Sequence, residues 1–317
     1  MRSMILKRGW LALITVFGVT LFTFLMVHLT PGDPAQVIAL ARYGLGDATP
    51  DEIAWVRTNE GLDSPVYIQY AKWMGHLLQG DLGNSLITGR PVIDELLLRL
   101  PATLELAVAS MAIALLIAIP LGIISAIRQN TIIDYMGMSI SLLGISIPSF
   151  WLALLLIMFF AVHLNWFPVF GKGGIEHLVL PAFTIGAGIA ALTARLTRSS
   201  MLEVLGQNYI RTARSKGIST LVIIGHHALK NALIPVVTVI GLQFAFLLEG
   251  TVIVETIFAW PGIGRLLVDS IFNRDFAMIQ GCTLFIAIFF VIINLLVDIS
   301  YSYLDPRIRY SPKRNLR

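Results

Sequence analysis

Six stretches of this chain contain no Asp, Glu, Lys or Arg: Gly9 to Gly32, Leu106 to Ile127, Tyr135 to Gly171, His177 to Ala194, Asn231 to Leu248 and Phe276 to Val297. Each can cross a hydrocarbon layer about 30 Å thick, which takes roughly 20 helical residues. Only 13% of the 317 residues are charged and 56% are hydrophobic, whereas a soluble domain carries about 25% charged residues. The expected fold is therefore an all-α integral membrane protein with six transmembrane helices. The third run is long enough for two helices broken at Pro148, but each half would be too short to span. One long, tilted or kinked helix from about Tyr135 to His163 is expected there.

The charges between the runs test this count. Under a six-span topology one side holds Arg2, Lys7, Arg8, Arg128, Arg195, Arg198, Arg211, Arg214, Lys216, Lys230, Arg307, Arg309, Lys313, Arg314 and Arg317, which is 15 of the 23 basic residues. The opposite loops, about 30–99 and 253–275, carry Asp47, Asp51, Glu52, Asp63, Asp81, Asp94, Asp269 and Asp275. The positive-inside rule puts both termini in the cytoplasm. Residues 1–29 read as an uncleaved first span, because Thr30-Pro31-Gly32-Asp33-Pro34 offers no small-residue cleavage site. The net charge of +4 is thus a matter of topology, and no basic patch interleaved with aromatics asks for nucleic acid. The single Cys282 excludes a disulfide framework and reads as a small packed side chain.

Three segments follow: 1–29 with the first span, an extracytoplasmic subdomain at 30–99, and a five-helix core at 100–317 whose cytoplasmic loop spans 199–231. Within 30–99, Thr49-Pro50-Asp51-Glu52 has the signature of a helix start, and Val66 to Leu78 has helical apolar spacing. Two short helices are expected, forming either a docking surface or a rigid cap. In the cytoplasmic loop, Gln207 to Lys216 can form a short basic helix, Gly217 ends it, and Ser219 can cap a second. Leu221, Val222, Ile223 and Ile224 then lie outside the bilayer runs. Such apolar residues want either a partner surface or the lipid face. The fourth span, rich in Gly, Ala and Ser around Ile185 to Ala191, favours close helix approach.

The stretch Tyr209-Ile210-Arg211-Thr212-Ala213-Arg214-Ser215-Lys216-Gly217, with Asn231-Ala232-Leu233-Ile234-Pro235 after it, resembles the cytoplasmic loop of binding-protein-dependent ABC importer permeases. Arg211-Thr212-Ala213 stands where that family usually has Glu-Ala-Ala, as in its peptide and nickel branch. His28 to Pro34, Gly61-Leu62-Asp63, Gly80 to Gly83, Phe258 to Gly264 and Leu304 to Arg307 resemble the same branch. The large first outer loop resembles the first permease of its heteromeric pairs. The resemblance implies the transmembrane domain of a type I ABC importer. It implies as partners a second homologous permease, two ATP-binding subunits, an extracytoplasmic solute-binding protein and the lipid bilayer. It implies no cofactor in this chain, with ATP and magnesium on the partner subunits. The implied ATPase-coupling residues are Arg211, Thr212, Ala213, Arg214, Ser215, Lys216, Gly217, Ile218, Leu221 and Pro235.

Chemistry within the chain is sparse. Gly83 to Gly89 lacks the Gly-Lys-Ser/Thr of a phosphate loop, and no Ser-His-Asp or HExxH set is present. His28, His76, His163 and His177 would matter for a nickel substrate, but no pair has i, i+4 spacing, and the adjacent His226 and His227 make a poor chelate. Glu105, Glu249, Glu255 and Asp298 lie near or within spans, Glu249 deepest, either facing a pore or hydrogen-bonded to neighbouring helices. Ser146, Ser149, Thr238, Gln243 and Glu249 are the candidate pore-lining residues. Trp10, Trp166 and Trp260 fit interfacial anchoring. An ion-coupled carrier would usually have more spans or broken midplane helices, and an enzyme would need a catalytic set. An ATP-coupled permease subunit is the expected class, with di- or oligopeptide as the first substrate and glutathione or a nickel chelate as alternatives.

Overall fold

The computed structural model describes residues 2–29, 32–43 and 48–304, with the side chains at 2–7, 41, 43, 245, 246, 248, 249 and 298–304 outside that description. The motif residues Thr30, Pro31 and 305–307, the turn residue Asp47, and the side chains of Glu249 and Asp298 therefore lie outside the described residues. In chain order the elements are α1 (Arg2–Leu29), α2 (Pro34–Tyr43), α3 (Pro50–Asn59), α4 (Val66–Leu78), α5 (Val92–Ile127), α6 (Ile132–Ser146) and α7 (Ser149–Leu156). A π-helical stretch, π1 (Ile157–His163), continues α7. Then come α8 (Ile175–Leu205), α9 (Asn208–Ser215), α10 (Thr220–Val222), π2 (Ile223–Ala228), α11 (Leu229–Ile257), α12 (Ile263–Phe272) and α13 (Phe276–Leu304). Among the described residues no strand forms, only an isolated bridge between Asn84 and Pro91.

Five helical segments are long and apolar enough to cross a bilayer, and the pair α6 and α7–π1 supplies the sixth if it counts as one span. That pair corrects the expectation of one kinked helix, because its two halves meet at 106°. The cause is local. Proline disfavours the α conformation in the residue before it and supplies no N–H for the helical ladder. Ile147 accordingly takes φ −80° and ψ 122°, and the last α6 bond runs from its N–H to the Leu143 carbonyl.

The chain divides into two compact units, one of residues 1–103 with 261–291, the other of residues 104–260 with 292–317. In the first, Thr49 and Glu52 form the expected capping box with Pro50 at the first helical position. The segment before α5 holds three helices where two are expected, since Pro34 also opens a helix. Ala35, Ala39 and Val56 close a small core between α2 and α3. A second core joins Val92 and Leu96 of α5 to Ile263 and Leu266 of α12 and to Met278 and Cys282 of α13. Asp275 fixes its edge by accepting from Ser85 Oγ at 2.5 Å and from the backbone N–H groups of Leu86 and Met278 at 3.2 Å.

The second unit packs on small residues. Lipid supplies no hydrophobic drive between helices, so association depends on close contact of small side chains. Ala114 and Ala118 of α5 meet Ala190 and Ala194 of α8. A Cβ at Gly186 would lie 2.8 Å from the Ser110 carbonyl oxygen, so only glycine permits that approach. Trp260 is another correction. Trp10 and Trp166 are exposed as anchors require, but Trp260 is fully buried with the Lys172 ammonium 5.5 Å from its ring centroid, and Lys172 also pairs with Glu105 at 2.7 Å.

Candidate functional site

The second unit carries two features with functional geometry. The first is a cavity of about 250 Å³ where the α6–α7 break faces α8 and α11. Gly144, Ile147, Ser149 and Leu152 come from the broken pair, Thr184, Ile185, Gly188 and Ile189 from α8, and Gln243, Leu247 and Gly250 from α11. Its wall is mostly apolar, so the few polar groups stand out. The Thr184 hydroxyl donates to the Leu180 carbonyl at 2.8 Å, leaving oxygen lone pairs as acceptors. Gln243 Nε2 donates to the buried Thr193 hydroxyl oxygen at 2.9 Å, which holds the amide against α8. The cavity's described lining offers amide and hydroxyl groups to a small ligand against an otherwise apolar surface.

Of the candidate pore residues, the structure brings Ser149 and Gln243 onto this cavity. Ser146 is the last residue of α6, directly before the break, with its hydroxyl bonded to the Leu142 carbonyl, and Thr238 bonds back to the Ile234 carbonyl. Neither lines the cavity. Glu249 belongs to α11, but its side chain lies outside the described residues. Glu255 is fully buried. Thr184 and Thr193 were not singled out by the sequence reading. A polar residue within the apolar α8 run was the available signal, and it does not distinguish a cavity wall from a back-bonded packing residue.

The second feature is the segment between α8 and α11. Gln207 is the N-cap residue of α9, and Gly217 follows the helix with φ +77°, the left-handed conformation that favours glycine. The backbone N–H groups of Lys216, Gly217 and Ile218 donate to the Thr212, Arg214 and Ala213 carbonyls, closing the helix end. Ser219 does occupy the N-cap of α10, but it makes no side-chain cap hydrogen bond. Ile210 is fully buried in a core with Ala126, Met201, Ile223, Ala228 and Ala232, against which Ala213 and Ile218 pack. Its burial contributes about 1.5–3 kcal/mol to seating α9. Arg211, Thr212, Arg214, Ser215 and Lys216 lie exposed on the same segment, and Leu221 keeps 83% of its surface. Pro235 sits inside α11, and four residues before it the Asn231 side chain donates to Tyr209 Oη at 3.0 Å and to the His227 carbonyl at 3.1 Å. Arg214, Thr220 and Ile223 are among the residues that border a cavity of about 400 Å³ beneath the segment.

Residues 118–310 match the family described as the inner membrane component of binding-protein-dependent transport systems, and residues 1–107 match the N-terminal family of such membrane components. The chain belongs to this permease family. The permease is 44% identical over 310 residues to the glutathione transport system permease protein GsiC of Salmonella typhimurium and to that of Escherichia coli K12, covering 98% of this chain and all of each relative. Its fold matches a chain of the MetNI methionine ABC transporter in inward-facing crystals with a TM-score of 0.57 at 19% identity, over 67% of this chain and 97% of the other. An amino acid ABC transporter crystallised with histidines gives 0.54 at 15% identity, over 67% and 94%. The permease is thus a multi-pass inner-membrane subunit of an ABC importer and a transport component rather than an enzyme.

Metal chemistry was tested against the histidines. His28 Nδ1 lies 2.9 Å from the Phe24 carbonyl and Nε2 lies 3.1 Å from Gln69 Oε1, while His76 lies 3.6 Å from Asp81. Among the described residues no three His, Cys, Asp or Glu side chains converge as a metal site would require.

Proposed function

We propose that this permease passes a short peptide, with glutathione the first substrate to test, from an extracytoplasmic binding protein into the cytoplasm. The observation that carries this reading is the 44% identity, across 98% of the chain, to permeases named for glutathione transport. In this reading glutathione comes ahead of the di- and oligopeptides expected from the sequence, and both come ahead of a nickel chelate. The apolar cavity with Ser149, Thr184 and Gln243 is the part of the pathway that this chain supplies, and its amide and hydroxyl groups suit peptide bonds better than a free metal ion.

In this reading both termini are cytoplasmic, a second homologous permease completes the pathway, and two ATP-binding subunits hold ATP and magnesium. Those subunits grip the segment from Arg211 to Leu221. Support comes from its basic exposed face and from Leu221 and Val222, which are exposed beside a firmly seated α9. The test is uptake of labelled glutathione, dipeptides and nickel into proteoliposomes holding the copurified complex, with and without loaded binding protein and internal or external ATP. ATP-dependent uptake of glutathione with its binding protein supports the reading. Uptake driven by an ion gradient without any copurifying ATPase overturns it.

A further inference from the structure

The proposed transport reading leaves one buried ion pair without a role. Asp134, in the first turn of α6, is 1% exposed, and Arg198, near the end of α8, meets it as a two-pronged fork. Arg198 Nε donates to Oδ1 at 2.6 Å and a terminal nitrogen donates to Oδ2 at 2.7 Å. The backbone N–H of Asn130 donates to the same Oδ2 at 3.0 Å. One carboxylate therefore ties together the turn after α5, the start of α6 and the last third of α8. Such pairs are costly to bury and often contribute little net stability against apolar replacements, so a role beyond stability is the better explanation to test.

Its place along the two helices suggests the role. From Arg198, α8 runs about 10 Å at 1.5 Å per residue to Leu205, and the basic segment follows. From Asp134, α6 runs about 18 Å by the same rise to Ser146, and the break at Ile147 and Pro148 follows. Gly144 and Ile147, at that far end, line the cavity. At that end α6 and α8 touch through small groups. A Cβ at Gly144 would lie 3.1 Å from that of Ala191, a smooth contact that resists sliding weakly. A bidentate fork is directional, because both oxygens must stay in register with the guanidinium plane.

The geometry points to the Asp134–Arg198 pair as a positioning joint that makes α6, and with it the broken wall of the cavity, follow α8 when the 206–228 segment is moved. This rests on the reading of that segment as the ATPase contact. In the absence of the joint, α8 moves while α6 slips.

The test uses the full complex with its second permease and ATPases in proteoliposomes. D134N keeps the Asn130 cap but leaves Arg198 without its anion, and R198K keeps charge but loses the fork. The double variant D134N/R198M removes both charges, so no unpaired buried charge remains. We expect D134N/R198M to assemble and hydrolyse ATP within about twofold of wild type while uptake per ATP falls about tenfold, as expected when a coupling element loses its two-state linkage. R198K falls between the two. A purely structural pair predicts that the double variant restores uptake together with assembly, and that result overturns the joint.

A second readout does not depend on knowing the substrate. Spin labels at the exposed Leu142 of α6 and Leu192 of α8, in a Cys282→Ala background, report their separation with and without nucleotide. A separation that stays fixed in wild type but changes with nucleotide in D134N/R198M supports the joint. The same fixed separation in both proteins overturns it, even if none of the tested solutes is transported.

Discussion

Two of the polar segments between the apolar helices are built in opposite ways. The segment between α1 and α5 makes many bonds within itself: Thr49 and Glu52 cap one another, Arg42 pairs with Glu60, Arg57 pairs with Asp33, and Ala35, Ala39 and Val56 form a core, while Ser85 and Leu86 bond outward to Asp275. The segment between α8 and α11 buries one side through Ile210 and Ile223 and leaves Leu221, Val222 and a row of basic residues outward. Both segments expose a large leucine, Leu78 and Leu221, but of the two it is Leu221 that follows the exposed cations Arg211, Arg214 and Lys216, and that pairing presents a surface for something else.

Breaking the second segment should affect assembly and transport far more than fold stability. Leu221→Asp should weaken retention of the ATPase subunits by about 2 kcal/mol or more, the scale of an interface anchor, with the thermal midpoint of the isolated permease unchanged. Copurification at increasing salt measures it, and full retention would remove Leu221 from the interface. Gly217→Asp forces a side chain into the left-handed conformation at about 1–2 kcal/mol and should lower uptake per ATP while membrane insertion is retained. Uptake at the wild-type level would sink the coupling assignment.

The first segment should show the reverse pattern. Thr49→Ala removes the α3 cap and should cost about 1 kcal/mol of local stability, read as faster hydrogen exchange in α3 with uptake per ATP unaltered. Arg42→Gln should change stability by no more than about 0.5 kcal/mol, because Arg42 and Glu60 keep 40% and 37% of their side-chain surface. A larger drop on thermal melting would show that the exposed pair belongs to a wider network.

The sequence made the strongly one-dimensional features legible. Charge-free runs marked α1, α5, α8, α11 and α13, and Thr49-Pro50-Asp51-Glu52 marked the start of α3, because each signal is contained in a few neighbouring residues. Gly217 was legible for the same reason. Pro148 announced a disturbance but not its size, since a proline can bend a helix or end it depending on what packs around it. Trp260 was misread because an indole between apolar residues looks the same whether it meets lipid or the ammonium of Lys172. The Asp134–Arg198 pair was not legible at all, as 64 residues separate its members. Of the residues picked out by polarity, Ser149 and Gln243 border the cavity and Ser146 and Thr238 do not, and polarity alone does not separate the two pairs, since Thr184 borders it while bonding to its own helix.

The latch between Ser85 and Asp275 joins residues 190 apart in the sequence. A ribosome adding about 5–20 residues per second therefore needs roughly 10–40 s between making the first half of that contact and the second. During this interval Val92 and Leu96 lack the Met278 and Cys282 side chains that complete their core. The core that Val92 and Leu96 begin is consequently completed late in synthesis, once α13 has emerged.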